Sequence, residues 1–238
     1  MEIFLFLLTC FGGSLIQTVS GFGFGIFALS FFPYFMPGST MSVAIAAMVS
    51  LSNCLIIVLR TYKHVQPRVI LPSILGYFIT SAVVITLLAG KSDDLIKRIL
   101  AVALICMSIY FFFFSQRVRV RPTLRNGIIA GALGGILGGM FGMGGPPMVV
   151  YLSSVYDDKE HYLANIQCYF VVTNLYSTAV RAINGIVTLE VIQYWLIGTV
   201  AAYVGILLGR RLLPKIRVDV LKKIIYGFMA ASGVLMLL

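Results

Sequence analysis

Residues Gly134 to Pro147 read Gly-Gly-Ile-Leu-Gly-Gly-Met-Phe-Gly-Met-Gly-Gly-Pro-Pro, set between the apolar arms Ile128–Leu133 and Met148–Leu152. Seven glycines fall within twelve residues here, and each costs a helix about 1 kcal/mol relative to alanine. The run predicts a backbone break at Gly142–Gly145. A new short helix should then open near Pro146, because the first turn of a helix needs no backbone donor. In lipid, non-helical backbone is tolerated only where protein covers it or where it lines a cavity. Broken helices in apolar surroundings are a common way for transporters to build substrate sites.

The stretch has a twin. Ser14 to Phe27 reads Ser-Leu-Ile-Gln-Thr-Val-Ser-Gly-Phe-Gly-Phe-Gly-Ile-Phe, and a shift of 121 residues lays Gly21 on Gly142 and Gly23 on Gly144. The same ungapped shift lays Gly13 on Gly134, Ser52 on Thr173, Asn53 on Asn174 and Arg60 on Arg181. Further along, Asp94–Ile99 meets Asp219–Ile224 at a shift of 125. Duplication explains these matches, so the chain reads as one membrane domain, 1–238, made of two related halves, 1–120 and 121–238.

Composition fixes the class. The chain is 60% hydrophobic and 11% charged, with a mean hydropathy of +1.00, whereas soluble domains run near 45–50% and about 25%. Its 238 residues leave room for membrane segments of about 20 residues and for no soluble domain. The net charge of +10 comes from short loops between apolar runs. It reads as a topology signal, which excludes nucleic acid as the partner. Cys10, Cys54, Cys106 and Cys168 lie widely spaced inside apolar runs and form neither a zinc motif nor a disulfide framework. The start, Met1-Glu2-Ile3-Phe4, lacks the basic region of a cleaved signal peptide and is expected to stay.

Charge placement predicts topology. If 127–155 enters the membrane and returns as a hairpin, loops 60–68, 117–125, 157–161 and 210–223 share one face and carry fourteen of the eighteen Lys and Arg. Full crossings by 127–155 and its twin would divide the cations almost evenly. The positive-inside rule therefore favours the hairpin and puts those loops in the cytoplasm. Repeat symmetry extends the same form to 1–36, although flipping that segment moves no cation. The expected fold is an all-α polytopic membrane protein of two inverted repeats, each a glycine-broken re-entrant hairpin plus three transmembrane helices.

Such hairpins would bring two tips together near the midplane, each followed by a short helix, from about Phe24 and about Pro146. Helix N-termini carry partial positive charge and free amides, and so make an anion site. Gly21, Phe22, Gly23, Phe24 and Gly25 form the first tip, and Gly142, Met143, Gly144, Gly145 and Pro146 the second. Glycine at either tip lets the backbone approach a ligand, although small residues also serve helix packing. Gln167, Asn174 and Arg181 are spaced seven apart and share a helix face, as do Asn53 and Arg60, with Ser50 one turn before. An amide at mid-depth needs a partner on another helix or on a ligand. An arginine near a helix end either binds or snorkels to the interface.

Enzyme, cofactor and P-loop motifs are absent. His64 and His161 are loop residues with no metal partner in the sequence. No carboxylate lies deep in an apolar run, which weakens a buried proton relay and suits an anionic substrate.

The broken segments Ser20-Gly-Phe-Gly-Phe-Gly25 and Phe141-Gly-Met-Gly-Gly-Pro-Pro147, duplicated in a small basic membrane protein, resemble the TauE/SafE family of sulfite exporters. Asn174 in its Thr-Asn pair fits too, and the resemblance covers essentially the whole chain. It implies an inner-membrane permease for a small sulfur-containing anion such as sulfite, a sulfonate or a related organic acid. Transport would be driven by a coupling ion or by the anion's own gradient, without a cofactor. The family motif falls on Gly21, Gly23, Gly142, Gly144, Gly145 and Pro146, while the first half lacks the Gly-Pro-Pro of the second. A passive anion channel, or a membrane assembly or redox-relay protein that uses the glycines for packing, remains the alternative.

Overall fold

The computed structural model describes residues 1–36, 38–113, 120–212, 227 and 230–237, and the side chains of all of these except 111–113 and 212. The described residues hold no strand. In order, the helices are α1 (Glu2–Ser20), α2 (Phe24–Phe31), α3 (Ser39–Thr61), α4 (Pro67–Leu88), α5 (Asp93–Phe113), α6 (Leu124–Phe141), α7 (Gly145–Val155), α8 (Lys159–Ile183) and α9 (Leu189–Leu212). Residues 230–237 are also helical. Arg117, Arg119, the basic loop beyond Leu212 and the Asp219–Ile224 match lie outside the described residues, as do Phe114 and the side chains of Phe111–Phe113.

Among the described residues, five helices, α1, α3, α4, α6 and α9, are long and apolar enough to cross a membrane. On α4, Leu71, Leu75, Ile79, Val83 and Leu87 are all more than half exposed. A four-residue step keeps them on one side of the helix, and that apolar stripe has lipid as its natural neighbour. α8 falls outside the five. It carries Asn165, Gln167, Thr173, Asn174, Ser177 and Arg181, every one of them buried. Its polar residues face protein, against α3 and α4.

The glycines of α6 do not interrupt the helix, which runs on to Phe141. They are where α4 lies against it. A Cβ on Gly131 would stand 1.9 Å from the Ser73 carbonyl oxygen, and one on Gly76 would stand 2.4 Å from that of Ile128. Backbone contact of this kind, frequent between membrane helices, offsets the poor helix propensity. The same device joins α9 to α1, where a Cβ on Gly205 would be 2.4 Å from the Phe11 carbonyl oxygen.

Side-chain contacts place the loops. The 62–66 turn meets the start of α8: the Gln66 N–H donates to Asn165 Oδ1 at 2.7 Å, and the His64 and His161 rings lie 5.0 Å apart. The start of α6 meets the end of α7, where the Val120 N–H donates to Ser154 Oγ at 3.0 Å and Tyr151 donates to the Thr123 carbonyl at 3.5 Å. The start of α3 meets α5 through the Ser39 N–H and Asp93 Oδ1, 2.6 Å apart. Near the start of α1, the Phe6 ring packs 5.3 Å from Phe32, just beyond α2. Helix pairs recur in exchanged form: α1 packs on α9 and α6 on α4, while α3 packs on α9 and α8 on α4.

Candidate functional site

Two glycines in the left-handed region end the long helices. Gly21 (φ 83°) closes α1, its N–H bonded to the Gln17 carbonyl, and Gly142 (φ 63°) closes α6, its N–H bonded to that of Gly138. Both terminations are the glycine C-cap that satisfies orphan carbonyls at a helix end. After three residues at each break, α2 and α7 begin.

The breaks, though 121 residues apart in sequence, touch each other. A Cβ on Gly25 would lie 2.7 Å from the Gly142 carbonyl oxygen, and one on Gly145 would lie 3.7 Å from Phe22 Cβ. Between them is a small cavity of about 30 Å³, lined by Gln17, Phe22–Ile26, Ser50, Tyr77, Gly142–Pro146, Phe170, Thr173 and Asn174. A water needs about 10–15 Å³ on this measure, so the space takes about two waters.

A polar frame holds the breaks in place. Asn174 Nδ2 donates to Ser50 Oγ at 3.3 Å, bridging α8 and α3. Gln167 Nε2 donates to the Gly21 carbonyl at 2.8 Å, pinning the first break to α8. Gln17 Nε2 lies 3.4 Å from Gln167 Oε1. Asn53 Nδ2 donates to Ser14 Oγ at 2.8 Å and reaches Gln17 Oε1 at 3.4 Å, while its own Oδ1 is buried without a partner.

Of the residues singled out in the sequence, Phe22, Gly23, Phe24, Gly25, Gly142, Met143, Gly144, Gly145, Pro146 and Asn174 line the cavity. Gly21, Gln167 and Asn53 stand behind it, in the frame. Arg60 is exposed in the last turn of α3. Arg181 corrects the interface-anchor reading, since it is 2% exposed and Nη2 donates to the Gly138 and Gly139 carbonyls at 3.1 and 2.9 Å. Side chains there would block the guanidinium, whereas two glycines leave the carbonyls bare. Sequence reasoning missed Gln17, Tyr77, Phe170 and Thr173. Gln17 had a signal, as an amide in an apolar arm one turn before the break. Tyr77 had none, because only the contact of α4 with α6 brings it in.

The two breaks supply donors unequally. The first three amides of any helix lack an intrahelical acceptor, so Phe24, Gly25 and Ile26 offer three at the start of α2. The next amide, of Phe27, already bonds the Gly23 carbonyl at 2.9 Å. At α7, Pro146 and Pro147 have no N–H, which leaves Gly145. No carboxylate lines the cavity, and the described residues hold no group of three or more metal-ligating side chains. Asn174, Gln17 and Ser50 are uncharged and bonded within the frame, which leaves the first-turn amides of α2 as the open donors.

A family model described as Sulfite exporter TauE/SafE matches residues 5–236. The chain is 22% identical over 231 residues to the probable sulfite/organosulfonate exporter TauE of Cupriavidus necator, covering 95% of this chain and 90% of that protein. No solved structure matches it.

Proposed function

Because the chain belongs to the sulfite exporter TauE/SafE family, a family of multi-pass membrane transporters and not of enzymes, we propose that it exports a small sulfur-containing anion across the inner membrane. Sulfite, a sulfonate or a related organic acid is held where the two glycine breaks meet. One observation carries this reading: breaks from the two halves of the sequence line a single cavity, with the first-turn amides of α2 beside it. The anion's oxygens take the amides at the start of α2, Asn174 adds a side-chain donor, and Phe170 with Met143 flanks the rest of the molecule.

Transport proceeds by alternating access through two inverted repeats. Support comes from the contacts at the helix ends. The first hairpin starts near Phe6 and returns near Phe32, on the side where Ser39 meets Asp93. The second starts near Thr123 and returns near Ser154, next to the side where His64 meets His161. The exchanged helix pairing also suits a two-fold relation between the halves. With the cation-rich loops in the cytoplasm, the end holding Asp93 and Asn184 faces outward. A cavity of about 30 Å³ takes about two waters, which suits a carrier that opens to load better than a standing pore.

The test is efflux from proteoliposomes loaded in turn with sulfite, methanesulfonate, sulfate and lactate. Saturable efflux of sulfite or sulfonate, faster than sulfate and lactate, is the expected result. Ionic current far above carrier turnover would make the protein a channel, and no flux of any anion would return the glycines to packing alone.

A further inference from the structure

Arg181 is a charge in the wrong place for an anchor. It is 2% exposed, and among the described residues it pairs with no carboxylate. Nη2 is used by the two α6 carbonyls, while Nη1 is buried with no partner at all. The side chain lines a second cavity of about 20 Å³ with Thr40, Val43, Ile96 and Ile186. That is room for one water. An ionised side chain inside a membrane protein is costly, and it persists where it pairs or marks an ion path.

A track of hydroxyls and amides joins this cavity to the glycine pocket. Asn174, Ser177 and Arg181 are three and four residues apart on α8 and share one face. Arg181 is therefore about 10 Å along the helix from Asn174. Between them, Tyr77, which lines the glycine pocket, has its hydroxyl 2.7 Å from Ser177 Oγ. Thr40 and Ile186 place the second cavity at the end of the molecule where α3 begins and α8 stops.

We propose that Arg181 is a second anion station, which receives the exported anion between the glycine pocket and the Asn184 end. The chemistry is that of a guanidinium with donors to spare: Nη1, which has no partner, offers its N–H groups to the oxygens of a sulfite or sulfonate. The Tyr77–Ser177 hydrogen bond stands across the track and has to open for the anion to pass. This inference rests on the glycine pocket as the first site, and the experiment separates the two.

Removing Arg181 would also unpin the end of α6, so the test fills the station instead. Ile186 is half-buried in the loop after α8, and its N–H bonds the Arg181 carbonyl at 2.9 Å. Ile186→Glu offers Arg181 the carboxylate it lacks, and Ile186→Gln is the uncharged control. Relative to Ile186→Gln, Ile186→Glu is expected to melt at higher temperature in detergent, and its sulfite efflux from proteoliposomes is expected to fall at least tenfold. Sulfite binding by calorimetry stays within about threefold, because the glycine pocket is untouched. Efflux equal to that of Ile186→Gln overturns the station, with or without a thermal gain. Lost efflux with no thermal gain overturns it as well, since the carboxylate then acts without reaching Arg181. Failure of the first site shows separately, as wild-type sulfite affinity in Asn174→Ala.

Discussion

Gly25→Ala tests the meeting of the two breaks with the smallest possible change. Gly25 is the second residue of α2 and has no positive φ, so its backbone suits alanine, which gains about 1 kcal/mol in helix propensity. Against this, the new methyl would sit 2.7 Å from the Gly142 carbonyl oxygen, where ordinary contact begins at 3.4 Å. The breaks must part by about 0.7 Å, and overpacking of this kind costs about 1–3 kcal/mol. Global stability therefore moves little, by 2 kcal/mol at most on these estimates. The pocket fares worse, because a binding constellation tolerates displacement of about 0.5 Å. One displaced hydrogen bond to a charged ligand is worth about 1.5–3 kcal/mol, a rise in Kd of roughly 10- to 150-fold.

The assay is calorimetric binding of sulfite to the detergent-solubilised protein, with the thermal midpoint measured alongside. Gly131→Ala supplies the contrast. Its methyl would lie 1.9 Å from the Ser73 carbonyl oxygen, a harder clash and one outside the pocket. It should cost stability first, leaving the affinity of the protein that still folds much less altered than in Gly25→Ala. Wild-type affinity in Gly25→Ala would refute the reasoning, because the contact between the breaks would then have no bearing on the ligand.

The two asparagines that match in sequence should part in function. Asn174→Ala should raise the sulfite Kd about tenfold or more, whereas Asn53→Ala should lower the thermal midpoint by leaving Ser14 and Gln17 without their donor, with a smaller change in Kd; isothermal calorimetry and thermal melts on both variants decide. In a background with Cys10, Cys54, Cys106 and Cys168 replaced, a membrane-impermeant thiol reagent on intact cells should label Asp93→Cys and Asn184→Cys but not Lys63→Cys, Arg121→Cys or Lys159→Cys. Labelling at 159 without 121 would mean that 127–155 crosses the membrane. Asp158 caps α8 and accepts from the His161 N–H at 2.9 Å and from its ring, which holds the carboxyl below the ordinary carboxylate range. Its stabilisation is present above that range and is lost as pH falls through the lowered pKa, so Asp158→Ala should melt earlier than wild type at neutral pH and like it in strong acid.

Both breaks were legible because a glycine able to take the left-handed conformation ends a helix locally, as Gly21 and Gly142 do. The register of 121 made Asn53 and Asn174 look alike, and both are indeed buried on facing helices. The difference between them is tertiary. α1 lies over Asn53, where Ser14 and Gln17 take its donor, while Asn174 faces the cavity across from Ser50. No periodicity encodes which partner helix covers which face. The glycines at 131, 135 and 138 have poor helix propensity that packing offsets, since α4 occupies the space their side chains would fill. Tyr77 enters the pocket by that same contact, and nothing in its own neighbourhood of sequence marks it.

Arg60 and Arg181 bring the comparison of the halves to its sharpest point. The shift that equates them also equates the α6 carbonyls gripping Arg181, those of Gly138 and Gly139, with Gln17 and Thr18 on α1. In the second half those positions are bare backbone, open to a guanidinium. In the first half Gln17 carries an amide already engaged with Gln167 and Cys54, and the Thr18 hydroxyl turns back to the Ser14 carbonyl. An arginine swung inward from position 60 would meet those side chains before it met a carbonyl. Arg60 is accordingly exposed while Arg181 is sealed. Two differences between the halves, glycine against glutamine and glycine against threonine, are enough to give one end of the molecule a cationic latch that the other end has no room to form.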